Sequence, residues 1–197
     1  MSTPATAAAR LVVAGIGNEM RGDDGAGPAA VERALLQGVA SAEGRAVAVV
    51  GPLVGPLDLL DQWEGAEIAV VVDAMRSGSP VGTVTLTYLD AADPEGRAAN
   101  GDATSPPTHR ASEGGLSRPG THGLSFGDVY RIALQTGSAP TRVALICIEG
   151  RDFSLGAGMS AEVDAAASRV ADIIVGLIRA HLQARGPLES HLVPVPP

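Results

Sequence analysis

Three side chains of the types that bind metals or transfer protons lie next to predicted strands and helices. Asp24 lies in the segment GIGNEMRGDDGAG, residues 15–27, which follows a short apolar run, and Asp73 ends a second apolar run. His122 lies in a Gly-flanked stretch just before a predicted helix. In an open parallel sheet, ligands bind beyond the carboxyl ends of the strands, so we expect the three side chains to face one crevice. Two carboxylates and one imidazole suit nickel, zinc or manganese better than calcium or magnesium.

Each of these side chains also has an ordinary structural interpretation. Asp23 or Asp24 can cap the helix that is predicted to begin near Pro28, and Asp23 can act as a partner of that helix dipole only. Asp73 can close a turn at the exit of its strand. His122 taken alone can be an ordinary surface histidine. The chemical interpretation therefore depends on the three side chains meeting.

The segment 15–27 does not have the pattern of a phosphate-binding loop. Gly15 and Gly17 fit the dinucleotide fingerprint G-x-G-x-x-G, but Met20 occupies the position of the third glycine. No Lys-Ser or Lys-Thr pair follows, as a P-loop requires. The two adjacent carboxylates would also compete with a phosphate for the positive end of the helix dipole. The pattern therefore disfavours nucleotide binding.

The elements that position these residues alternate along the chain. Five runs rich in Val, Ile and Leu are predicted strands: 11–15, 46–50, 68–73, 83–89 and 142–148. Helical periodicity follows Pro28, spans 53–63, and follows Ser125 and Ser160. This order predicts an α/β fold in three layers, with a mostly parallel, twisted, five-stranded sheet and helices on both faces. The run 83–89 alternates polar and apolar residues, which predicts an edge strand and admits antiparallel pairing.

The 197 residues predict one domain with its core at about 11–185. Residues 90–120 lack periodicity and are rich in Gly, Pro and Ser. They are predicted to be a long flexible insertion. The alternative is that they form a lid on which the substrate docks. The end of the chain, 186–197, is predicted to be a disordered tail.

Composition excludes several classes of partner. With 14 basic and 22 acidic side chains the net charge is -8, which repels nucleic acid and anionic lipid. Neither a signal peptide nor a membrane span is recognisable, so we expect a soluble cytoplasmic protein. The single cysteine, Cys147, lies in a predicted strand and is expected to be a small core residue. The one match to the G-x-S-x-G pattern, residues 123–127, follows no predicted strand, as a nucleophile elbow requires.

Taken in order, these motifs resemble those of the hydrogenase maturation endopeptidases, which trim the large subunit of nickel-iron hydrogenases. The resemblance rests on GIGNEMRGDDGAG (15–27), VVDAMRSG (71–78), THGL (121–124) and IEG (148–150). It covers most of 11–182.

The resemblance implies a twisted α/β sheet flanked by helices and a single cut in the large-subunit precursor of a nickel-iron hydrogenase. The cut removes a short C-terminal extension. Asp24, Asp73 and His122 would contact nickel that the substrate presents, and no tightly bound cofactor of the protein's own is implied. Nickel can polarise the scissile carbonyl or activate a water, or a carboxylate can act as general base. The stretch 90–120 is longer than the family pattern.

Two other functions share part of this pattern. Peptidyl-tRNA hydrolases also have a G-x-G-N turn after their first strand, but they would need a His soon after that turn and a basic face for tRNA. A nickel carrier or sensor would use the same three ligands as a peptidase. It would bind free nickel tightly, whereas a peptidase that reads nickel on its substrate needs only weak binding.

Overall fold

A five-stranded sheet runs through the computed structural model, which describes residues 10–38, 47–93 and 124–184. In chain order the strands are β1 (Arg10–Ile16), β2 (Val47–Leu53), β3 (Ala66–Met75), β4 (Val84–Asp90) and β5 (Arg142–Glu149). Their order in the sheet is β2-β1-β3-β5-β4. All neighbouring pairs are parallel except β4 and β5. The predicted fold class is confirmed, and β4 is the antiparallel edge strand.

Helices cover both faces of this sheet. They are α1 (Ala26–Leu36), α2 (Leu59–Gln62), α3 (Phe126–Thr136) and α4 (Ala161–Ala184), with 3-10 turns at Gly22–Gly25 and Pro56–Asp58. One core cluster lies between the sheet and α1 with α4, and a second lies between the sheet and α2 with α3. Within the described residues, no helix is long and apolar enough to cross a membrane.

The alternation of side chains along β3 decides where the site forms. Val70 and Val72 belong to the core under α1 and α4, and Ala69 and Val71 belong to the core under α2 and α3. Because successive strand residues point to opposite faces, Asp73 follows Val71 onto the α2 and α3 side. The edge of that core contains the stacked rings of Phe126 and Tyr130, with centroids 6.0 Å apart.

The second strand is longer than its sequence predicts. The prediction ended it at Val50 because Gly51 and Pro52 normally break a strand, whereas β2 continues to Leu53. The register between β1 and β2 shifts before Ile16 pairs with Leu53. An edge strand with such an irregularity accommodates proline, because a backbone nitrogen that faces away from the sheet has no neighbouring strand to which it could donate a hydrogen bond.

The first turn of α3, the helix predicted after Ser125, is fixed by a capping box between Ser125 and Asp128. The Asp128 N–H donates to Ser125 Oγ at 3.2 Å, and the Ser125 N–H donates to Asp128 Oδ2 at 3.0 Å. Most of the predicted insertion, from residue 94 to 120, and the whole predicted tail, 186–197, lie outside the described residues.

Replacing Ser125 with Ala is expected to lower the free energy of unfolding by about 1 kcal/mol, because the Asp128 N–H loses the Ser125 hydroxyl as an acceptor and keeps only the Ser125 carbonyl. Urea denaturation measures this change. Arg131→Ala is the control, since it removes only an exposed ion pair with Asp128. A midpoint for Ser125→Ala no lower than that of the control would contradict the role of the cap.

Candidate active site

The loop between β1 and α1 folds back so that Asp24 lies beyond the carboxyl end of β1. Gly17 begins the turn with φ 138°. Asn18 then accepts a hydrogen bond on Oδ1 from the Met20 N–H at 2.9 Å. The Asn18 N–H donates to Asp24 Oδ2 at 3.0 Å. The backbone of the turn therefore holds the partly exposed carboxylate of Asp24.

Asp73 lies beyond the end of the neighbouring apolar run, on β3. Its Oδ1 accepts a hydrogen bond from the Ala74 N–H at 2.8 Å. Burial raises the pKa of Asp73 to about 7, the Ala74 N–H opposes this rise, and the negative charge of Asp24 adds to it. A carboxyl group with a pKa near neutrality can both accept and donate a proton at physiological pH.

Asp24 and Asp73 are thus neighbours at the carboxyl edge of the sheet. They follow β1 and β3, which are adjacent and parallel, and their charges interact. The structure brings together the two carboxylates that the sequence pattern placed in one crevice. Their contact with a metal stays a prediction, and His122, the third predicted contact, falls outside the described residues. In the part of the chain that the structure describes, no group of three or more His, Cys, Asp and Glu side chains could hold a metal ion.

Cys147 lies beside Asp73, because the two residues are paired in the register of β3 and β5. Its side chain is partly buried and packs against the core under α2 and α3. Burial and the charge of Asp73 raise the pKa of the Cys147 thiol to about 12. The thiol is therefore neutral at physiological pH and is a poor nucleophile, in keeping with its expected place as a small core residue.

Asp23 has partners that the sequence did not indicate. It is fully buried, and its carboxylate accepts three backbone hydrogen bonds from the segment after β5. Oδ2 accepts from the N–H groups of Arg151 at 2.7 Å and Asp152 at 3.0 Å, and Oδ1 accepts from Ser160 at 2.7 Å. Burial acts to raise the pKa of Asp23, but these donors outweigh it and hold the pKa below its ordinary value. Asp23 is therefore more than the helix-dipole partner that its position suggested.

Glu149, at the end of β5, is a second buried carboxylate that sequence reasoning gave no role of its own. It is 1% exposed and accepts hydrogen bonds from the Ser77 hydroxyl at 2.7 Å and from the Gly78 N–H at 2.8 Å. The Ser77 N–H donates to both of its oxygens. Arg76 lies 5.0 Å above the ring of Phe153. These contacts join the segment after β3 to the end of β5 and to the segment that follows it.

No protein-family model and no curated protein matches the chain. Solved structures do match it. One is the hydrogenase 2 maturation peptidase of a Thaumarchaeota archaeon, with a TM-score of 0.55 and 24% identity over 86% of this chain and 97% of that one. The chain has the fold of the hydrogenase maturation peptidases. The resemblance that the motifs predict is confirmed at the level of the fold.

Two further structures with the maturation peptidase fold give the same result. The endopeptidase HybD of E. coli has a TM-score of 0.61 and 18% identity, over 87% of this chain and 93% of that one. The protease HycI of Thermococcus kodakarensis KOD1 has a TM-score of 0.57 and 22% identity, over 88% and 95% of the two chains. The shared fold thus includes nearly the whole length of each of these proteins.

Proposed function

We propose that this chain is a cytoplasmic endopeptidase that removes the C-terminal extension of a nickel-iron hydrogenase large-subunit precursor after nickel insertion. The observation that carries the proposal is the pair Asp24 and Asp73 at the carboxyl edge of a maturation peptidase fold. The sequence motifs, one of which contains His122, are the basis for proposing that the protein recognises the precursor through nickel.

Nickel belongs to the substrate in this proposal. Asp24, Asp73 and His122 complete its coordination when the precursor docks, which places the scissile peptide bond in the crevice. A site that the substrate's metal helps to assemble cuts only precursors that have received nickel. This requirement makes the cleavage a checkpoint on metal insertion.

The raised pKa of Asp73 belongs to the protein before the precursor docks. Beside the nickel of the precursor, the positive charge of the metal would keep the Asp73 carboxylate ionised, and this carboxylate could take a proton from the attacking water as general base. The protonated group can then return that proton to the leaving amine. The neutral Cys147 thiol beside it takes no part as a nucleophile.

The nickel requirement is tested with one precursor in two forms. Nickel-loaded and nickel-free large subunits from the same cell are incubated with the protein, and the mass of each is measured. We expect the loaded form to lose its C-terminal extension while the nickel-free form keeps its full mass. Equal cleavage of both forms would contradict recognition through nickel, and an intact loaded form would contradict the peptidase itself.

Calorimetric titration with free Ni²⁺ separates the peptidase from a nickel carrier or sensor. We expect weak binding, with a dissociation constant of roughly 0.1 mM or above, because the precursor supplies the remaining ligands. Tight binding by the protein alone, in the nanomolar range, would favour a carrier.

A further inference from the structure

The carboxylate of Asp23 joins two segments that are far apart in the chain. The Asp23 carboxylate accepts hydrogen bonds from the N–H groups of Arg151, Asp152 and Ser160. The backbone N–H of Asp23 also donates to the Asp152 carbonyl at 2.8 Å. Four hydrogen bonds thus connect one residue of the turn Gly22–Gly25 to the segment after β5. No cation neutralises Asp23 among these contacts, so hydrogen-bond donors compensate the buried charge.

The fit around Asp23 is close. A Cβ atom added to Gly150 would lie 2.9 Å from Asp23 Cβ and 2.7 Å from the ring of Phe153. The backbone at Gly150, just after β5, therefore meets the Asp23 side chain without intervening space. A carboxylate held by three donors in such a place has little freedom to move.

The segment that receives Asp23 is in turn fixed to the strand that carries Asp73. The Gly150 N–H donates to the Met75 carbonyl at 2.8 Å, and Met75 ends β3 two residues after Asp73. A continuous path of hydrogen bonds and short chain segments leads from Asp73 through Met75 and Gly150 to Asp23. Asp24 is the next residue along the chain.

This connection reaches outside the loop that carries Asp24. Within the described residues, the Asp24 side chain accepts its hydrogen bond from Asn18 of the same loop. A bond within the loop cannot prevent the loop from moving as a whole, whereas the bonds of Asp23 can.

We propose that Asp23 is a positioning residue: it fixes the Asp24 loop to the segment after β5 and so sets the separation of Asp24 and Asp73. The effect on cleavage rests on the proposed function, but the effect on the loop does not. Asp23 is proposed to touch neither the substrate nor the reacting atoms. It acts on cleavage only by holding Asp24 in place.

Hydrogen–deuterium exchange tests the effect on the loop. Asp23→Asn keeps the shape of the side chain but turns an NH₂ group toward backbone N–H donors. We expect amide exchange in 18–27 and 150–160 to become at least about tenfold faster. Asp164→Asn is the control, because the Asp164 carboxylate also joins distant segments, through an exposed ion pair with Arg33, but makes no hydrogen bond to Asp23. Exchange in 18–27 that equals that of the control would overturn the proposal.

Cleavage kinetics then separate positioning from general destabilisation. Asp23→Asn is expected to lower kcat by about 10- to 100-fold, because a displacement of about 1 Å has effects of that size, while KM changes by less than about threefold. Val170→Ala opens a cavity in the fully buried core under α4 and serves as the control with a comparable loss of thermal stability. An equal fall of kcat in both variants would overturn the proposal.

Ser160→Pro provides a second variant if Asp23→Asn does not fold. It removes the N–H that donates to Asp23 Oδ1, together with the buried Ser160 hydroxyl, at the residue just before α4. We expect faster exchange in 18–27 than in Asp164→Asn, and unchanged exchange would overturn the proposal. If the wild-type chain cleaves no nickel-loaded precursor, the proposed function fails, and the exchange measurements still decide whether Asp23 holds the loop.

Discussion

Replacing Asp73 with Asn is expected to abolish precursor cleavage and, at the same time, to stabilise the fold above pH 7. Burial and the neighbouring charge of Asp24 raise the pKa of Asp73 to about 7, so the ionised carboxylate is unfavourable in the folded protein. Asn has almost the same shape and no charge. The loss of cleavage is expected to exceed about 100-fold, as for removal of a general base.

The stability change has a definite pH dependence. Between pH 4 and 7 the folded wild type keeps the Asp73 proton that the unfolded chain has already released, so its free energy of unfolding falls as the pH rises through this range. The Asn variant lacks this fall. Above pH 7 the Asn variant should be more stable than the wild type by about 2 kcal/mol. The full pKa change corresponds to roughly 4 kcal/mol, and we expect a smaller gain because Asp73 is only partly buried and solvent screens its charge.

Urea denaturation at pH 4.5 and pH 8 measures this difference, with Asp164→Asn as a control for loss of a carboxylate on the surface of α4. A gain in stability that appears only at pH 8, together with loss of cleavage, is the expected pattern. Equal stability of wild type and Asp73→Asn at pH 8 would show that the Asp73 carboxylate is not under electrostatic strain.

Replacing Gly17 with Ala is expected to lower the free energy of unfolding by about 3 to 5 kcal/mol and to eliminate cleavage in the fraction that still folds. The backbone of Gly17 has φ 138°, and an added Cβ would lie 1.8 Å from the Asp24 carbonyl oxygen. The loop can relieve this clash only by moving the backbone of Asp24. The substitution therefore displaces the site carboxylate directly.

Gly78→Ala is the matched control for this substitution. Gly78 also has a positive φ, of 94°, but an added Cβ meets no atom within 4 Å. We expect a cost of about 1 kcal/mol from the backbone alone, with cleavage retained. Thermal denaturation and cleavage assays compare the two variants, and equal losses in both would contradict a special requirement for glycine beside Asp24.

The order of elements and the meeting of Asp24 with Asp73 could be predicted because both follow from local patterns. Apolar runs and helical periodicity give the alternation of β and α, and the carboxyl ends of neighbouring parallel strands must lie at one edge. The alternation of polar and apolar residues in 83–89 also predicts the edge position of β4 and allows its antiparallel pairing. These features need no knowledge of side-chain packing.

The roles of Asp23 and Glu149 could not be predicted in this way. Asp23 and Arg151 are 128 positions apart in the chain, and Glu149 and Ser77 are 72 apart. Their hydrogen bonds depend on how three loops pack together, which no local pattern encodes. For the same reason, the sequence pattern predicts only a helix-dipole role for Asp23, since its donors come from residues far along the chain.

The assignment of Asp24 and Asp73 as the active site is tested most directly by mass spectrometry. A nickel-loaded hydrogenase large subunit is incubated with the wild-type, Asp73→Asn and Asp164→Asn proteins, and its mass is then measured. The wild type and Asp164→Asn should remove the C-terminal extension at similar rates, and Asp73→Asn should leave the full-length mass. Removal of the extension by Asp73→Asn at the wild-type rate would contradict the assignment of the carboxylate pair as the active site.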